Sequence, residues 1–325
     1  MTYYVCRFAF IGLAMIVSGV AYSDEARRIP RIGEVFFSHP SVAGPYDSAF
    51  RDGLRELGYV DGKNVTIVTR YANTDASRLS VVLEELISLP VDIIVVTPKA
   101  VGLARQMTST IPIVCPDMGN PVRDGLVASL AHPGGNLTGA YALDAETNAK
   151  RLELIIETVP GMKTLGVMFD GNDVSLVANS KALRSLAQSV GVKVRTFAVR
   201  DWNEIQAALG AIERDRLKAL MIFDNPLTET HLEAIMRSAA HRVAVVSEGR
   251  DWARAGALIT YGADYHDMWK HSAKYVDKIL KGIKPGDLPI EQPTKFDLLV
   301  NMKTARALGI AVPESVLLRA DEIIR

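Results

Sequence analysis

The stretch "VDIIVVT", residues 91–97, is apolar at every position from Ile93 to Val96, and runs of this kind recur along the whole chain. A strand with one wet face alternates apolar and polar residues. A strand covered on both faces does not, so such runs call for a parallel sheet enclosed between helix layers. Between them lie amphipathic stretches. The first half reads "RIGEVFF", "SAFRDGLREL", "NVTIVTRYA", "SRLSVVLEELISL", "VDIIVVT", "AVGLARQMTS", "IPIVCP", strand and helix in turn. Phe50, Leu54 and Leu57 fall at i, i+4 and i+7, on one helical face. The series then restarts with "KTLGVMFD", "SLVANSKALRSLAQSVG", "VKVRTFAVR", "WNEIQAALGAIERD", "LKALMIFD", "LEAIMRSAAH" and "RVAVVSEG". The expected fold is α/β, with two doubly wound parallel-sheet lobes.

The ends of the chain carry different signals. "MTYYVCRFAFIGLAMIVSGVAYSDEARR" has Arg7, an apolar run from Phe8 to Val17, small residues, then charges. That is the order of a secretory signal peptide over 1–23, with Ala21 and Ser23 at its cut. A membrane anchor is the rival reading, but the run is short of the roughly 20 residues a span needs. Cys6 precedes most of the apolar run, against a lipid-modified cysteine, and after cleavage Cys115 alone remains. After Tyr261 come a helix, "DYHDMWKHSAKYVDKILKG", a Pro-rich segment, "IKPGDLPIEQPTKFDLLVN", and a short terminal helix. A tail of that length is expected to cross back to the first lobe and return, so the linker is several strands. The expected division is 30–142 plus 263–300 for lobe 1 and 143–262 plus 301–325 for lobe 2.

Charge excludes one class of partner. Removing Arg7 with the signal takes the 37 basic residues to 36, against 37 acidic ones. No basic stripe with interleaved aromatics appears, so no nucleic-acid partner is expected.

Ligands of doubly wound sheets sit beyond the carboxyl ends of the strands. Thr97-Pro98, Asn120-Pro121 and Asn225-Pro226 each place a short polar residue before proline at such an end. Cap followed by Pro at N1 is a helix start, with unpaired N–H groups that suit an anion. Plain capping accounts for any one of them; their presence in both lobes points to a cleft. Ser38 and His39, Asp170-Gly171-Asn172 and Glu248-Gly249-Arg250 end other strands, and an acid there could pair with a ligand amine. Ser38, Thr97, Pro98, Asp117, Asn120, Asp170, Asn172, Asp224 and Tyr261 are the expected cleft residues. Thr97 and Asn120 would face an anionic group, Asp170 or Asp224 a cationic one.

Catalytic signatures are missing. The six histidines form no HExxH or His-x-His, there is no G-x-S-x-G, and "PGGN" is not G-x-G-x-x-G. Neither metal nor cofactor is expected. Gly62-Lys63 follows a helix and precedes a strand, the reverse of a phosphate loop, and reads as a corner after a Gly58 helix cap.

Longer motifs carry a resemblance. "FRDGLRELGYVDGKNVTI", "STIPIVCPDMGNPVRDGLVASLAHPGGNLTGAY", "KRLELIIETVPGMKTLGVMF", the segment "ARAGALITYGADYHDMWKHSAKYVDKILKGIKPGDLPIEQPTKFDLLVNMKTARALGI" and "ADEII" resemble the ABC-transporter substrate-binding family, tryptophan-type branch, with the periplasmic-binding-protein type I fold. The match runs from about Arg31 to Ile324. The resemblance implies a two-lobe clamshell with crossovers near 140–144, 260–264 and 290–301. It also implies a periplasmic, monomeric, non-enzymatic protein that delivers a small polar or amino-acid-like solute to an ABC permease. A periplasmic sensor feeding a membrane receptor is the alternative; an extracytoplasmic enzyme is a weaker one. Three departures fall at the expected rim: Lys99 after Thr97-Pro98, Asn120 where many members have Asp, and Asp170-Gly171-Asn172 for the usual Asn-Pro.

Overall fold

The computed structural model describes residues 28–142, 144–240 and 242–325. The expected signal peptide, 1–23, lies outside them. The chain begins with β1 (Arg31–Phe36), α1 (Pro40–Glu56), β2 (Thr66–Tyr71), α2 (Ala76–Ser88), β3 (Ile93–Val96), α3 (Pro98–Met107), β4 (Ile113–Met118) and β5 (Leu137–Tyr141). These strands form a parallel sheet in the order β2-β1-β3-β4-β5. The unbroken apolar runs mark its centre: all four residues of β3 are fully buried, while the edge strand β2 is half-buried throughout.

The second series follows: α4 (Asp144–Thr158), β6 (Thr164–Asp170), α5 (Val174–Ser189), β7 (Lys193–Val199), α6 (Trp202–Arg214), β8 (Ala219–Ile222), α7 (Pro226–Thr230), α8 (Leu232–Ala239), β9 (Ala244–Ser247), α9 (Arg250–Arg254) and β10 (Ile259–Ala263). After α10 (Tyr265–Leu280) come β11 (Phe296–Asn301), α11 (Met302–Ala307), α12 (Glu314–Leu317) and β12 (Glu322–Ile324). The second sheet has seven strands, β12-β11-β10-β9-β8-β6-β7, and β11 runs antiparallel to β10. The fold is α/β with two parallel-dominated sheets, each enclosed by helices. The short helix expected after Asn301 is α11; beyond it the chain adds α12 and the edge strand β12, beside β11.

The chain passes between the two layers three times: after Tyr141, after Ala263, and between Glu291 and Phe296. On the second excursion α10 packs against α1, and Trp269 stacks on Phe36 of β1 with centroids 4.8 Å apart. The segment then touches β5, where Tyr141 N donates to Glu291 O. β11, expected with the first lobe, pairs inside the larger sheet, because its register with β10 runs from Ile259↔Val300 to Ala263↔Phe296. Among the described residues no helix is long and apolar enough to cross a membrane.

Two helix details differ from expectation. α1 starts at Pro40, two turns before the expected Ser48: Pro40 fits N1, and Pro45 is tolerated inside at the loss of one backbone bond. Its other end stops as expected. Gly58 takes φ +88°, its N–H meets Arg55 O and that of Tyr59 meets Leu54 O, so both orphan carbonyls are satisfied. Leu57, expected on one helical face with Phe50 and Leu54, is the cap residue and is exposed.

Gly53 sets the closeness of α1 and α10. A β-carbon there would lie 2.2 Å from Lys270 O, a backbone atom that moves only with its helix. Gly53→Ala gains up to about 1 kcal/mol of helix propensity but overpacks the contact by up to about 3 kcal/mol. The expected net result is a loss of about 2 kcal/mol, read as a lower urea midpoint with unchanged slope. An unchanged midpoint would show that the helices separate without cost.

Candidate functional site

The carboxyl ends of the two sheets face each other across a cavity of about 220 Å³ lined by residues of both. From the first lobe come Phe37 and Ser38 after β1, Tyr46 of α1, Thr97, Pro98 and Lys99 at the start of α3, and Asp117 of β4. The second supplies Asp170 of β6, Asp173 and Asn179 around α5, and Phe223, Asp224, Asn225 and Glu229 around α7. Glu248, beyond β9, and Trp269, of α10, complete opposite walls.

Of the residues expected in the cleft, Ser38, Thr97, Pro98, Asp117, Asp170 and Asp224 line this cavity, and Asn120, Asn172 and Tyr261 do not. Asn120-Pro121 opens a turn, not a helix: Asn120 Oδ1 accepts from Arg123 N at 2.9 Å, and its amide reaches Tyr141 OH. Asn172 is exposed; its neighbour Asp173 caps α5, accepting from Ser175 N and Leu176 N, and lines the cavity instead. Tyr261 stacks on Phe296 of the neighbouring strand, centroids 5.9 Å apart. Thr97 precedes α3 without capping it. Its Oγ1 accepts from Phe37 N at 3.2 Å and so braces the end of β1. Asn225 does cap α7, in a reciprocal box with Thr228.

Several side-chain contacts among the described residues join the lobes directly. Tyr46 OH donates to Glu229 Oε1 at 3.0 Å. Lys99 Nζ lies 3.4 Å from both Asp170 Oδ2 and Asp173 Oδ2. Arg123 Nη1 donates to Asn179 Oδ1 at 3.0 Å, with Ser175 Oγ beside it. Partly exposed ion pairs contribute about 1 kcal/mol or less apiece. Lys99→Ala is therefore expected to loosen closure without harming the fold. Its ligand-free radius of gyration should exceed that of the wild type at low salt and match it in 1 M salt, where screening removes the bridge. Equal radii at low salt would mean that the bridge does not hold the lobes.

The second lobe's wall is acidic. Burial, and then the charges of Glu229 and Glu248, hold the Asp224 carboxyl well above the usual range, against the lowering effect of the Trp252 indole and the Asn225 N–H; its buried Oδ1 has no partner within hydrogen-bond distance among the described residues. Burial pushes Glu229 up to about 7, against the lowering effect of the Tyr46 hydroxyl. Burial, then Glu229 and Asp224, raises Tyr46 itself, so it acts as a neutral donor. Cys115 lies buried in β4, and burial pushes its thiol up too, the opposite of what a nucleophile needs.

Sequence reasoning missed Asp173, Asn179, Glu229 and Trp269 as site residues. Glu229 had one available signal: it lies four positions after the Asn225 cap, on the same face of α7.

The comparisons agree with this architecture. Residues 34–324 match the family described as ABC transporter substrate binding protein. A "Tyrosine-binding protein" of Clostridioides difficile (strain R20291) is 25% identical over 275 residues, which cover 84% of this chain and 78% of that one. Among solved structures, the ABC domain from Streptococcus pneumonia in complex with L-Trp superposes with a TM-score of 0.84 at 26% identity, covering 91% of this chain and 99% of that one. A conserved domain protein from Vibrio cholerae gives 0.84 at 25% identity, covering 91% and 100%. With two sheets, a cleft between them and a family match across nearly all the described residues, the chain belongs to the ABC transporter substrate binding protein family, whose members bind solutes rather than convert them.

Proposed function

We propose that this chain is the extracytoplasmic solute-binding component of an ABC importer, closing its two lobes on a small amino-acid-like solute and presenting the closed form to a membrane permease. The observation that carries the reading is the cavity itself, to which both lobes contribute polar side chains at strand ends. At about 220 Å³ it is smaller than a drug-sized pocket and suits a small solute. Each lobe supplies part of the lining, so a solute that touches both favours the closed state by its differential contacts. The L-Trp complex and the tyrosine-binding relative support an amine-bearing aromatic as the class to test first. The resemblance and the amino-terminal sequence support secretion through a cleaved signal.

The test is a mass spectrum of the small molecules released when the purified protein is denatured, paired with X-ray scattering before and after the identified molecule is added back. Release of one solute that compacts the protein is the expected result. A protein that releases nothing and keeps its scattering profile across a panel of amino acids and amines would sink the reading.

A further inference from the structure

The charges around the cavity are unbalanced. Among the described residues Lys99 is the one Lys or Arg that lines it, and Asp170 and Asp173 both engage its ammonium at 3.4 Å. Asp124 is held by Arg123, and Glu248 by the buried Arg151, at 2.8 and 2.7 Å. Asp224 and Glu229 differ from these. Among the described residues neither has a basic side chain as ion-pair partner; Glu229 has the Tyr46 hydroxyl, and Asp224 has only neutral donors beside it, the Trp252 indole and the Asn225 N–H, with its buried Oδ1 unpaired at hydrogen-bond distance. An acceptor left that way costs about 1–3 kcal/mol, and a charged one more, until something donates to it. The adjoining surface is aromatic: Tyr46 sits 6.0 Å from Trp269, and Phe37 and Phe223 line the same space.

We propose that this cleft selects an organic cation with a ring-sized apolar body and no carboxylate, its ammonium held by Asp224 and Glu229. The proposal rests on the solute-binding reading above and narrows its substrate class. An ammonium between the two carboxylates satisfies the orphaned Oδ1 and removes the repulsion of two like charges, while the rings of Tyr46, Trp269 and Phe223 take the apolar body. A zwitterionic amino acid has a further requirement. Among the described residues its carboxylate finds no free cation in the cavity, because Lys99 is already shared by two acids. The remaining seat is the first turn of α3, where Thr97 makes no side-chain cap.

Isothermal titration of the purified protein, freed of bound solute by unfolding and refolding, separates the cases. The probes are tyramine, tryptamine, L-tyrosine, L-tryptophan and 3-phenylpropionate. The expected result is that at least one amine binds ten-fold or more tightly than its amino acid, that 3-phenylpropionate does not bind, and that Asp224→Asn weakens the amine at least ten-fold. Glu229→Gln provides a second variant should Asp224→Asn fail to fold. Amino acids that bind as tightly as the amines, or a carboxylate that binds best, overturn the cation proposal and leave the solute-binding reading standing. The same holds if no probe binds while the native protein still releases a solute on denaturation. If nothing is released and nothing binds, both fall.

Discussion

Replacing Arg151 with alanine is expected to remove about 3–5 kcal/mol of stability, because it strands a buried carboxylate. Arg151 is 1% exposed on α4, and every arm of its guanidinium is used. Nε donates to Tyr261 O at 2.8 Å, Nη1 to Asn148 Oδ1 at 2.8 Å and Glu248 Oε1 at 2.7 Å, and Nη2 to Thr147 Oγ1 at 2.8 Å. Glu248 in turn accepts from Tyr265 OH at 2.7 Å. One cation thus ties α4, the end of β9, β10 and the start of α10. The elements α4 and α10 open two of the three passages between lobes, so the loss falls on the hinge side of the cleft.

Chemical denaturation of three variants separates the terms. Arg151→Ala should lose the full amount. Arg151→Lys keeps the charge but not the planar fork and should fall between. The pair Arg151→Met with Glu248→Gln removes both charges and should recover most of the loss, since an apolar side chain of similar reach replaces an ion that was costly to dehydrate. If Arg151→Ala cost less than about 1 kcal/mol, Glu248 would be solvated and the network would not be structural.

How far the sequence carried the fold depended on distance along the chain. Unbroken runs such as Ile93–Val96 and Ala219–Ile222 announce central parallel strands, because burial on both faces leaves a local signature. The capped starts at Thr97-Pro98 and Asn225-Pro226 place two sides of the cavity for the same reason. What could not be read was pairing across the cleft. Tyr46 and Glu229 meet from positions 183 apart, and neither looks unusual in its own helix. Trp269 reaches the first lobe only because the chain doubles back through α10. Tyr261 illustrates a second limit: successive residues of a strand point to opposite faces, so knowing the strand does not tell which of two neighbours faces the ligand. In β10 the ring lies against Phe296 instead.

Glu229→Gln is expected to stabilise the closed, ligand-free protein at pH 8 by up to about 3 kcal/mol and at pH 5 by less than about 1 kcal/mol. The sign follows from proton counting. Burial raises Glu229 from its ordinary value of 4.5 to about 7, with Asp251 and Glu248 adding repulsion and Tyr46 partly offsetting it. Between those values the native state keeps a proton that the unfolded state has released, so stability falls as pH climbs through that window and is fully reduced above about 7. Glutamine cannot ionise, yet its Oε1 can still accept from Tyr46. The wild type can shed the strain in two ways, by unfolding or by opening the lobes so that water reaches the carboxylate. Both readouts are therefore needed: melting temperature and radius of gyration from pH 5 to 8. The wild type should melt lower, or expand, as pH rises, and Glu229→Gln should do neither. A bound cation reverses the trend, since it favours the ionised carboxylate: wild-type affinity for an amine should rise across the same window, and the variant's should stay flat. Parallel curves for the two proteins in both readouts would show that Glu229 titrates as an ordinary surface acid, and the acidic wall would then lose its role in closure.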